Sequence, residues 1–222
     1  MPQEPPSHLS ARKKPRQARA RATVDFIFEA TIQVLVADGP NQLTTTRVAE
    51  RAGVSVGTMY QYFPHKQALF YAVNERYLDA LGDKVERACR EMHGASAEQM
   101  INTLVTTYWN AKMERPEVTR ALYKSVVELD NQPLITAFSR RVDTASAAMF
   151  ASASDADFED LSTVNLTLLT TIFGTIRNVF ERDLSAAEVN AVHRQLILMC
   201  NTYLMAVSKS PTSSALNAHD TS

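Results

Sequence analysis

Residues 43–70 read LTTTRVAERAGVSVGTMYQYFPHKQALF, and this stretch decides the fold. It contains two short helical patterns joined by a tight turn, and a lysine then opens a third helix. Threonines precede the first helix and Ser55 precedes the second, and both residue types cap helix N-termini. Gly53 suits the positive φ of a helix end, and Pro64 ends the second helix because the residue before a proline avoids helical backbone angles. The layout predicts a helix-turn-helix, which places its second helix in the DNA major groove.

The second helix is predicted to have one buried face and one face for DNA. Met59 and Phe63 are four residues apart and are expected in the core. Gln61 can hydrogen-bond adenine through two bonds, the Thr58 methyl can touch a thymine methyl, and the Tyr60 hydroxyl can reach a phosphate. The outer set is short of charge for a solvent-facing surface and consists of Val56, Gly57, Thr58, Gln61 and Tyr62. The alternative is a helical hairpin of another all-α protein with tyrosines on its surface.

The whole segment resembles the DNA-binding domain of the tetracycline-repressor (TetR) family, with unbroken spacing. The resemblance implies an all-α fold of about nine helices. A three-helix helix-turn-helix domain would stand at the N-terminus, followed by a larger helical domain for ligand binding and dimerisation. The matching residues are Leu43-Thr44-Thr45, Ala49, Ala52-Gly53-Val54-Ser55, Gly57-Thr58-Met59-Tyr60, Phe63, Lys66 and Leu69.

The resemblance also implies a role for each matching position on the DNA. Thr46 stands where some members carry a base-reading residue, although a threonine is short. The residues implied to hold phosphates are Thr44, Thr45, Ser55, Tyr60 and Lys66. Those implied to face base edges are Val56, Gly57, Thr58, Gln61 and Tyr62.

Charge is distributed unevenly along the 222 residues. Residues 1–70 contain nine Lys or Arg against five Asp or Glu, and residues 71–222 contain fourteen against nineteen. A basic head on an acidic body suits an anionic partner at one end. A run without an acidic residue comprises Arg12, Lys13, Lys14, Arg16, Arg19 and Arg21. We expect this run to contact DNA through phosphates or the minor groove; the alternative is a solvated tail.

Helical periodicity continues over the rest of the chain, and no useful stretch alternates as a β-strand does. The predicted helices cover about 16–38, 66–92, 96–113, 116–129, 133–152, 158–182 and 185–208. The predicted domains are a disordered arm (1–15), a helix-turn-helix domain (16–65), a ligand-binding and dimerisation domain (66–208) and a disordered tail (209–222).

Helix caps can be assigned from local sequence. Ser185 with Glu188 forms a predicted capping box, and Ser96 precedes a glutamine at the same spacing. For the helix over 158–182, either Asp155 or Asp157 is predicted to be the N-cap.

The last two long helices are apolar on more than one face, so each must bury more than one face. One face can meet the body of the protein and another a second copy, and Gly174 would allow a close helix crossing. The resemblance implies a two-fold homodimer, which suits palindromic half-sites. The predicted interface residues are Leu168, Ile172, Ile176, Val192, Leu196, Met199 and Tyr203. A single large core without a dimer is the alternative.

The resemblance implies a small-molecule site in the body. Large or polar residues of the middle helices are the candidates: Tyr108, Trp109, Met113, Tyr123, Phe138, Met149, Asn165 and Phe173. Asn165 stands out because a polar side chain on an apolar helix needs a partner. The set suits an apolar or amphipathic ligand. A highly charged ligand fits less well, although Arg120, Arg140, Arg141 and Arg177 could serve one.

Other classes of site leave no signal in the sequence. Cys89 and Cys200 are expected to be reduced thiols of a cytoplasmic protein, with a redox switch as the alternative. The five histidines and the cysteines show no metal-ligand spacing, and no apolar run could span a membrane. No phosphate loop, nucleophile elbow or triad order is present, so neither an enzyme nor a cofactor is predicted.

The combined observations predict a transcriptional repressor. It would bind a palindromic double-stranded DNA operator as a homodimer and be released by a small apolar or amphipathic effector. The alternative is a DNA-binding protein without an effector, either sequence-specific or architectural.

Overall fold

The computed structural model describes residues 18–125, 131–182 and 184–209. Within these ranges the chain is helical apart from one short strand pair, as the all-α prediction requires. The helices are α1 (Ala18–Asp38), α2 (Thr45–Ala52), α3 (Val56–Tyr62), α4 (Lys66–Glu91), α5 (Ala97–Met113), α6 (Pro116–Ser125), α7 (Gln132–Phe150), α8 (Leu161–Glu181) and α9 (Ala186–Val207). A 3-10 turn, Pro40–Gln42, joins α1 to α2. None of the described helices is long and apolar enough to cross a membrane.

The chain forms two compact units, and both are discontinuous in sequence. The first comprises the described residues up to Gly82 together with Lys112–Ser139. The second comprises Asp83–Ala111 and the described residues from Arg140 onward. This division differs from the sequence-based boundary at residue 65, because α4 up to Gly82, α6 and the start of α7 are grouped with the N-terminal helices.

The first unit is built on one apolar cluster to which α1, α2, α3, α4 and α6 all contribute. Ile27 of α1, Val48 of α2 and Met59 of α3 are completely buried in it. Burying a side chain of this size contributes about 1.5–3 kcal/mol. Leu122 of α6 lies in the same cluster, which explains why this distant segment joins the N-terminal unit.

An ion pair at the surface of the same unit also joins α1 to the start of α6. The Arg115 guanidinium donates to both carboxylate oxygens of Glu29, at 3.1 Å each. This paired hydrogen bonding lowers the pKa of Glu29. Both side chains are about half exposed, so the pair fixes geometry more than it adds stability.

The turn between α2 and α3 has the predicted geometry. Gly53 has φ 65° and ψ 30°, a left-handed conformation that ends α2. Thr44 caps α2, since its hydroxyl oxygen accepts from the Arg47 N–H at 3.2 Å. Ser55 caps α3 and accepts from the Thr58 N–H at 3.0 Å. Both N-caps satisfy N–H groups that a helix start otherwise leaves unpaired.

The second unit contains α8, α9 and most of α5, with parts of α4 and α7. The predicted capping box at α9 is present, with the Ser185 hydroxyl and the Glu188 carboxylate each accepting from the other's N–H. The pair at the start of α5 is reciprocal as well, with Ser96 N–H to Gln99 Oε1 at 3.1 Å and Gln99 N–H to Ser96 Oγ at 3.3 Å.

The predicted N-cap of α8 is wrong. Asp160 is the N-cap and accepts from the Thr163 N–H at 3.0 Å. Asp155 instead accepts from the Ala97 N–H at 2.7 Å, at the start of α5. Asp157 begins the strand β1 (Asp157–Phe158), which pairs antiparallel with β2 (Ser208–Lys209). The helix α8 therefore begins at Leu161, a few residues later than the predicted start at about 158.

Both predicted disordered segments fall largely outside the described residues. The arm over 1–15 lies entirely outside them, and the tail over 209–222 does so except for Lys209. Lys209 pairs in β2, and its ammonium lies 2.6 Å from Glu159 Oε2.

The left-handed residue of the turn can be tested by substitution. A Cβ built on Gly53 meets no atom within 4 Å, so the cost of Gly53→Ala is conformational. We expect it to lower the free energy of unfolding by about 1–2 kcal/mol, and Gly53→Asn to cost less because asparagine tolerates this conformation. The measurement is chemical denaturation without DNA.

Gly57→Ala is the matched control. Gly57 is helical, and its added Cβ would meet only Ser55 Oγ at 3.8 Å. We expect this variant to keep or gain stability, by up to about 1 kcal/mol. An equal loss in both variants would contradict the assignment of strain to Gly53.

Candidate DNA-binding site

The outer face of α3 is accessible, and its inner face is packed into the first unit. Gly57 and Gln61 are exposed, Val56 is 38% exposed and Tyr60 is 43% exposed. On the inner face, Met59 is completely buried, as predicted. The helix α3 has no charged side chain. Its exposed surface therefore consists of small and hydrogen-bonding groups.

Tyr62 does not belong to this outer face. Its side chain is only 7% exposed and packs in the core, where its ring centroid lies 6.4 Å from that of Phe63. Residues three apart share a helix face, so the burial of Met59 also turns Tyr62 inward. The predicted base contact of Tyr62 is therefore corrected to a core position. The i, i+3 spacing from Met59 was the signal that could have shown it.

Hydroxyl groups cluster at the edges of α3. The Thr45 hydroxyl donates to the Tyr60 hydroxyl at 3.3 Å, which leaves the phenolic proton able to donate to a phosphate. Ser55 Oγ and Thr58 Oγ1 lie 2.8 Å apart; one donates to the other, and one hydroxyl proton remains. Thr44 and Thr46 are exposed on α2 and beside it. The exposed hydroxyls are suited to phosphate contacts, which position a protein on DNA. Thr45 is only 8% exposed, so its predicted phosphate contact is corrected to a supporting position behind Tyr60.

The start of α4 carries a further predicted phosphate contact. Lys66 is the first residue of α4 and is half-buried. His65 was not anticipated: its Nδ1 accepts from the Ala68 N–H at 3.1 Å and so caps this helix. A lysine at a helix N-terminus combines a cation with the positive end of the helix dipole.

Most of the predicted basic arm lies outside the described residues. Arg12, Lys13, Lys14 and Arg16 lie outside the described residues, and Arg19 lies in the first turn of α1. Arg47 contacts Asp38 at 3.0 Å and donates to the Gln42 carbonyl at 3.2 Å. It therefore ties α2 to the end of α1.

The predicted ligand-pocket residues of the second unit are engaged with one another or with neighbours. Tyr108 packs against Phe173 with ring centroids 4.5 Å apart. Trp109 stacks on His193 at 4.4 Å, and Met149 is completely buried. These contacts are those of a packed interior, in which rings fill the space between helices.

The buried amide of Asn165 needs hydrogen-bond partners, and the protein supplies them. Its Oδ1 accepts from the Ser146 hydroxyl at 2.7 Å, and its Nδ2 donates to the Asp143 carbonyl at 3.2 Å. The amide thus joins α8 to α7 without a ligand.

The remaining three candidates belong to the first unit: Met113, Tyr123 and Phe138. Tyr123 faces a buried lysine, since the Lys112 ammonium lies 4.8 Å from its ring centroid and 4.8 Å from that of Tyr77. Burial lowers the pKa of Lys112 to about 7, while the two ring faces attract the ammonium cation. The face of Tyr123 is therefore occupied by the protein itself.

The predicted dimer residues divide into interior and surface positions. The interior ones are Leu168, Ile172, Ile176 and Leu196, all at most 2% exposed. Val192 and Tyr203 are half-buried, and Met199 is 49% exposed. Only the last three can reach a second copy without unpacking the chain, because the interior four already pack inside the second unit.

The two cysteines have the character of core residues. Both are buried free thiols, and burial raises the pKa of Cys89 and of Cys200 to about 11. A redox-sensing cysteine needs an exposed thiolate, so these positions do not support the redox alternative. Among the described residues, no group of three or more His, Cys, Asp or Glu is placed to hold a metal ion.

Family comparisons match both parts of the chain. Residues 27–73 match the model of bacterial regulatory proteins of the tetR family, and residues 96–204 match a tetracyclin repressor-like C-terminal domain. The first match contains α2, α3 and the start of α4.

Similar curated proteins match over part of their length. The transcriptional repressor KstR of Mycolicibacterium smegmatis is 32% identical over 104 residues, which cover 47% of this chain and 50% of KstR. The nucleoid occlusion factor SlmA of Haemophilus ducreyi is 29% identical over 109 residues, 49% of this chain and 53% of SlmA. The chain thus spans about half the length of these relatives.

Solved structures share the fold over most of the chain. A putative TetR-family regulator from Mesorhizobium loti superposes with a TM-score of 0.68 at 17% identity, covering 87% of this chain and all of that one. SmeT, the repressor of a multidrug efflux pump of Stenotrophomonas maltophilia, gives 0.63 at 16% identity, covering 84% and 90%.

The division of roles on this face can be tested with three variants. Tyr60→Phe and Lys66→Ala should weaken binding to every DNA sequence alike. Lys66→Ala should also reduce the slope of log affinity against log salt concentration by about the amount that one phosphate contact contributes. Gln61→Ala should relax sequence preference by about 1–3 kcal/mol at one base pair. The measurement is fluorescence anisotropy on specific and scrambled duplexes at several salt concentrations.

Lys124→Ala removes an exposed lysine of α6 and serves as the control. It should leave both affinity and salt dependence unchanged. Equal losses on every sequence for all three test variants would contradict the division.

Proposed function

Because the chain belongs to the TetR family of transcriptional regulators, we propose that it represses transcription as a homodimer on a palindromic operator. A small ligand would release it. The observation that carries the DNA part is the outer face of α3, which is exposed, free of charge and bordered by hydroxyls and Lys66. An uncharged polar helix face is suited to base edges, and the flanking groups are suited to phosphates.

Gly57 adds a second argument for close approach to DNA. It is exposed on the outer face of α3 and does not have the positive φ that requires glycine. A Cβ there would meet only Ser55 Oγ at 3.8 Å, so nothing inside the chain demands a glycine. A partner that comes close to the backbone accounts for this residue.

The dimer proposal rests on apolar side chains that the single chain leaves exposed. Four of the nine large exposed apolar residues in the described ranges lie on α8 and α9, and they are Leu166 at 60%, Leu198 at 58%, Met199 at 49% and Met205 at 73%. Gly174 of α8 is exposed, and no atom lies within 4 Å of a Cβ built there. A second copy of this helix pair would cover these side chains, and a two-fold dimer would match a palindrome.

Release by a ligand is a coupling between two sites. The helix α4 begins at Lys66 in the first unit and ends at Glu91 in the second, so one element carries residues of both. A ligand that prefers the conformation with poor DNA affinity weakens DNA binding, and DNA weakens ligand binding by the same factor.

The experiment that tests this function is selection from a random DNA pool with the purified chain, at stated salt. An enriched palindrome with half-sites one or more helical turns apart supports the dimeric operator reader. Salt-sensitive binding without an enriched sequence supports the second candidate, a DNA-binding protein that needs no effector. The packed pocket candidates of the second unit favour this candidate over release by a ligand, and the chain is similar to the nucleoid occlusion factor SlmA.

The effect of Gly57 on DNA binding can be measured separately from its effect on stability. Gly57→Ala should leave stability unchanged or higher and yet weaken DNA binding at least about tenfold, because a methyl group would keep the backbone away from the DNA. Affinity is measured by anisotropy and stability by denaturation on the same preparation. Unchanged affinity would show that glycine is not needed for the contact.

The proposed dimer surface can be tested by introducing a charged side chain into it. Leu198→Lys or Met205→Lys places an ammonium in the proposed interface and should cost at least about 2 kcal/mol, a roughly thirtyfold weaker dimer. Light scattering after size exclusion gives the mass at several concentrations. Both side chains are exposed in the single chain, so folding should persist.

Phe26→Lys is the matched control, since Phe26 is 64% exposed on α1. It should leave the mass unchanged. A dimer that persists in both lysine variants would exclude this face of α9.

A further inference from the structure

A cleft of about 430 Å³ lies within the second unit, between the last turns of α4 and the second half of α7. It opens to solvent. None of the eight aromatic or polar pocket candidates lines it, but Arg140 and Arg141, which the sequence offers for a charged ligand, do. Its volume is within the range of small-molecule sites, about 300–1,000 Å³. The cleft therefore has room for a small molecule, whereas the packed aromatic residues of the same unit leave none.

The charged side chains around the cleft are mostly cationic. Arg90, Arg140 and Arg141 line it against the single carboxylate of Glu86, and His93 stands at the same edge. Arg90 and Arg140 are exposed. Across the described ranges, neither of these two forms an ion pair with an acidic side chain. Like charges that share a cleft repel each other, and an anion between them relieves that repulsion.

The acidic side chain of the cleft is already neutralised. Arg141 donates from Nε to Glu86 Oε1 at 2.9 Å and from Nη2 to Oε2 at 3.0 Å. Its Nη2 also lies 2.6 Å from Asp83 Oδ1. The Arg141 hydrogen bonds lower the pKa of Glu86, and Arg90 adds to this at longer range. The paired arginine joins the α4 wall of the cleft to its α7 wall.

The rest of the lining consists of small side chains, which are apolar except for Thr144, whose hydroxyl donates to the Arg140 carbonyl at 2.9 Å. Ala145 and Ala148 of α7 lie opposite the buried thiol of Cys89. Burial raises the pKa of Cys89 to about 11, so the thiol stays neutral and does not repel an anion. Small side chains at these places leave the room that a larger residue would fill, and the arginine stems add apolar surface.

We propose that this cleft binds a small amphipathic organic anion, a carboxylate or phosphate monoester with a compact apolar body. Arg90 and Arg140 hold the oxyanion, and the apolar body lies on Ala145, Ala148 and Cys89. Guanidinium groups present donors in the fork geometry that matches both kinds of oxyanion. The binding site stands on the geometry of the second unit alone; only its effect on DNA rests on the proposed function.

The test uses the full chain and defined probes in isothermal titration calorimetry. Octanoate and octyl phosphate carry the anion and the apolar body, octanol carries the body alone, and inorganic phosphate carries the anion alone. We expect one or both of the first two to bind at least about tenfold more tightly than the last two. Equal binding of octanol and octanoate, tight binding of inorganic phosphate alone, or no binding of either amphipathic anion would overturn the proposal.

Variants locate the site. Arg90→Gln and Arg140→Gln should each weaken binding of the anionic probe about tenfold, and Ala148→Phe should block it by filling the cleft. Arg87→Gln removes an exposed arginine of the same helix that does not line the cleft, and it should bind as the natural chain does. Unchanged binding in the first three variants, or equal loss in the control, would place the probe elsewhere.

A DNA-displacement assay separates this inference from the proposed function. If the probe binds through Arg90 and Arg140 but leaves DNA affinity unchanged, the cleft assignment holds and ligand release fails. If the probe releases DNA equally well from the Arg90→Gln and Arg140→Gln variants, release holds and the cleft assignment is overturned.

Discussion

A seven-residue helix is not stable alone in water, because about 12–15 residues are needed even for favourable sequences. The helix α3 has seven residues, so its conformation depends on the burial of Met59, Tyr62 and the adjoining Phe63. That burial also orients the opposite face, which carries Gly57 and Gln61 outward. The hydrophobic contact is thus the constraint on which the candidate DNA-binding surface depends: the side chains that would read DNA are positioned by side chains that never touch it.

Local chemistry made much of the first unit predictable. Gly53 in the left-handed region, Thr44 and Ser55 as N-caps and Pro64 after α3 follow from the backbone preferences of single residues. The capping box at Ser185 has the same origin. Such signals involve partners within four positions in sequence, so the sequence alone determines them. The outer face of α3 follows in the same way once one buried residue is known.

Features that depend on distant partners were not predictable. Asp155 resembles an N-cap for the helix that follows it, yet its partner is Ala97 N–H on α5. Asn165 has the polarity of a ligand contact, yet Ser146 of α7 satisfies it. On α8 and α9 every face is partly apolar, so periodicity could not tell which face packs internally and which is exposed. Arg140 and Arg141 of α7 could be named from sequence as contacts for a charged ligand, but Arg90 and Cys89 could not be placed beside them because α4 and α7 are far apart in sequence.

The interleaving of the two units has a consequence for biosynthesis. Chains emerge from the ribosome N-terminus first, and a continuous N-terminal domain can fold before the rest appears. Here α1 is covered by Leu122 of α6 and held by Arg115, both of which follow the segment Asp83–Ala111 of the other unit. The first unit therefore cannot complete its core until Leu122 has been translated, and the part of α1 that α6 covers stays exposed on the nascent chain until then.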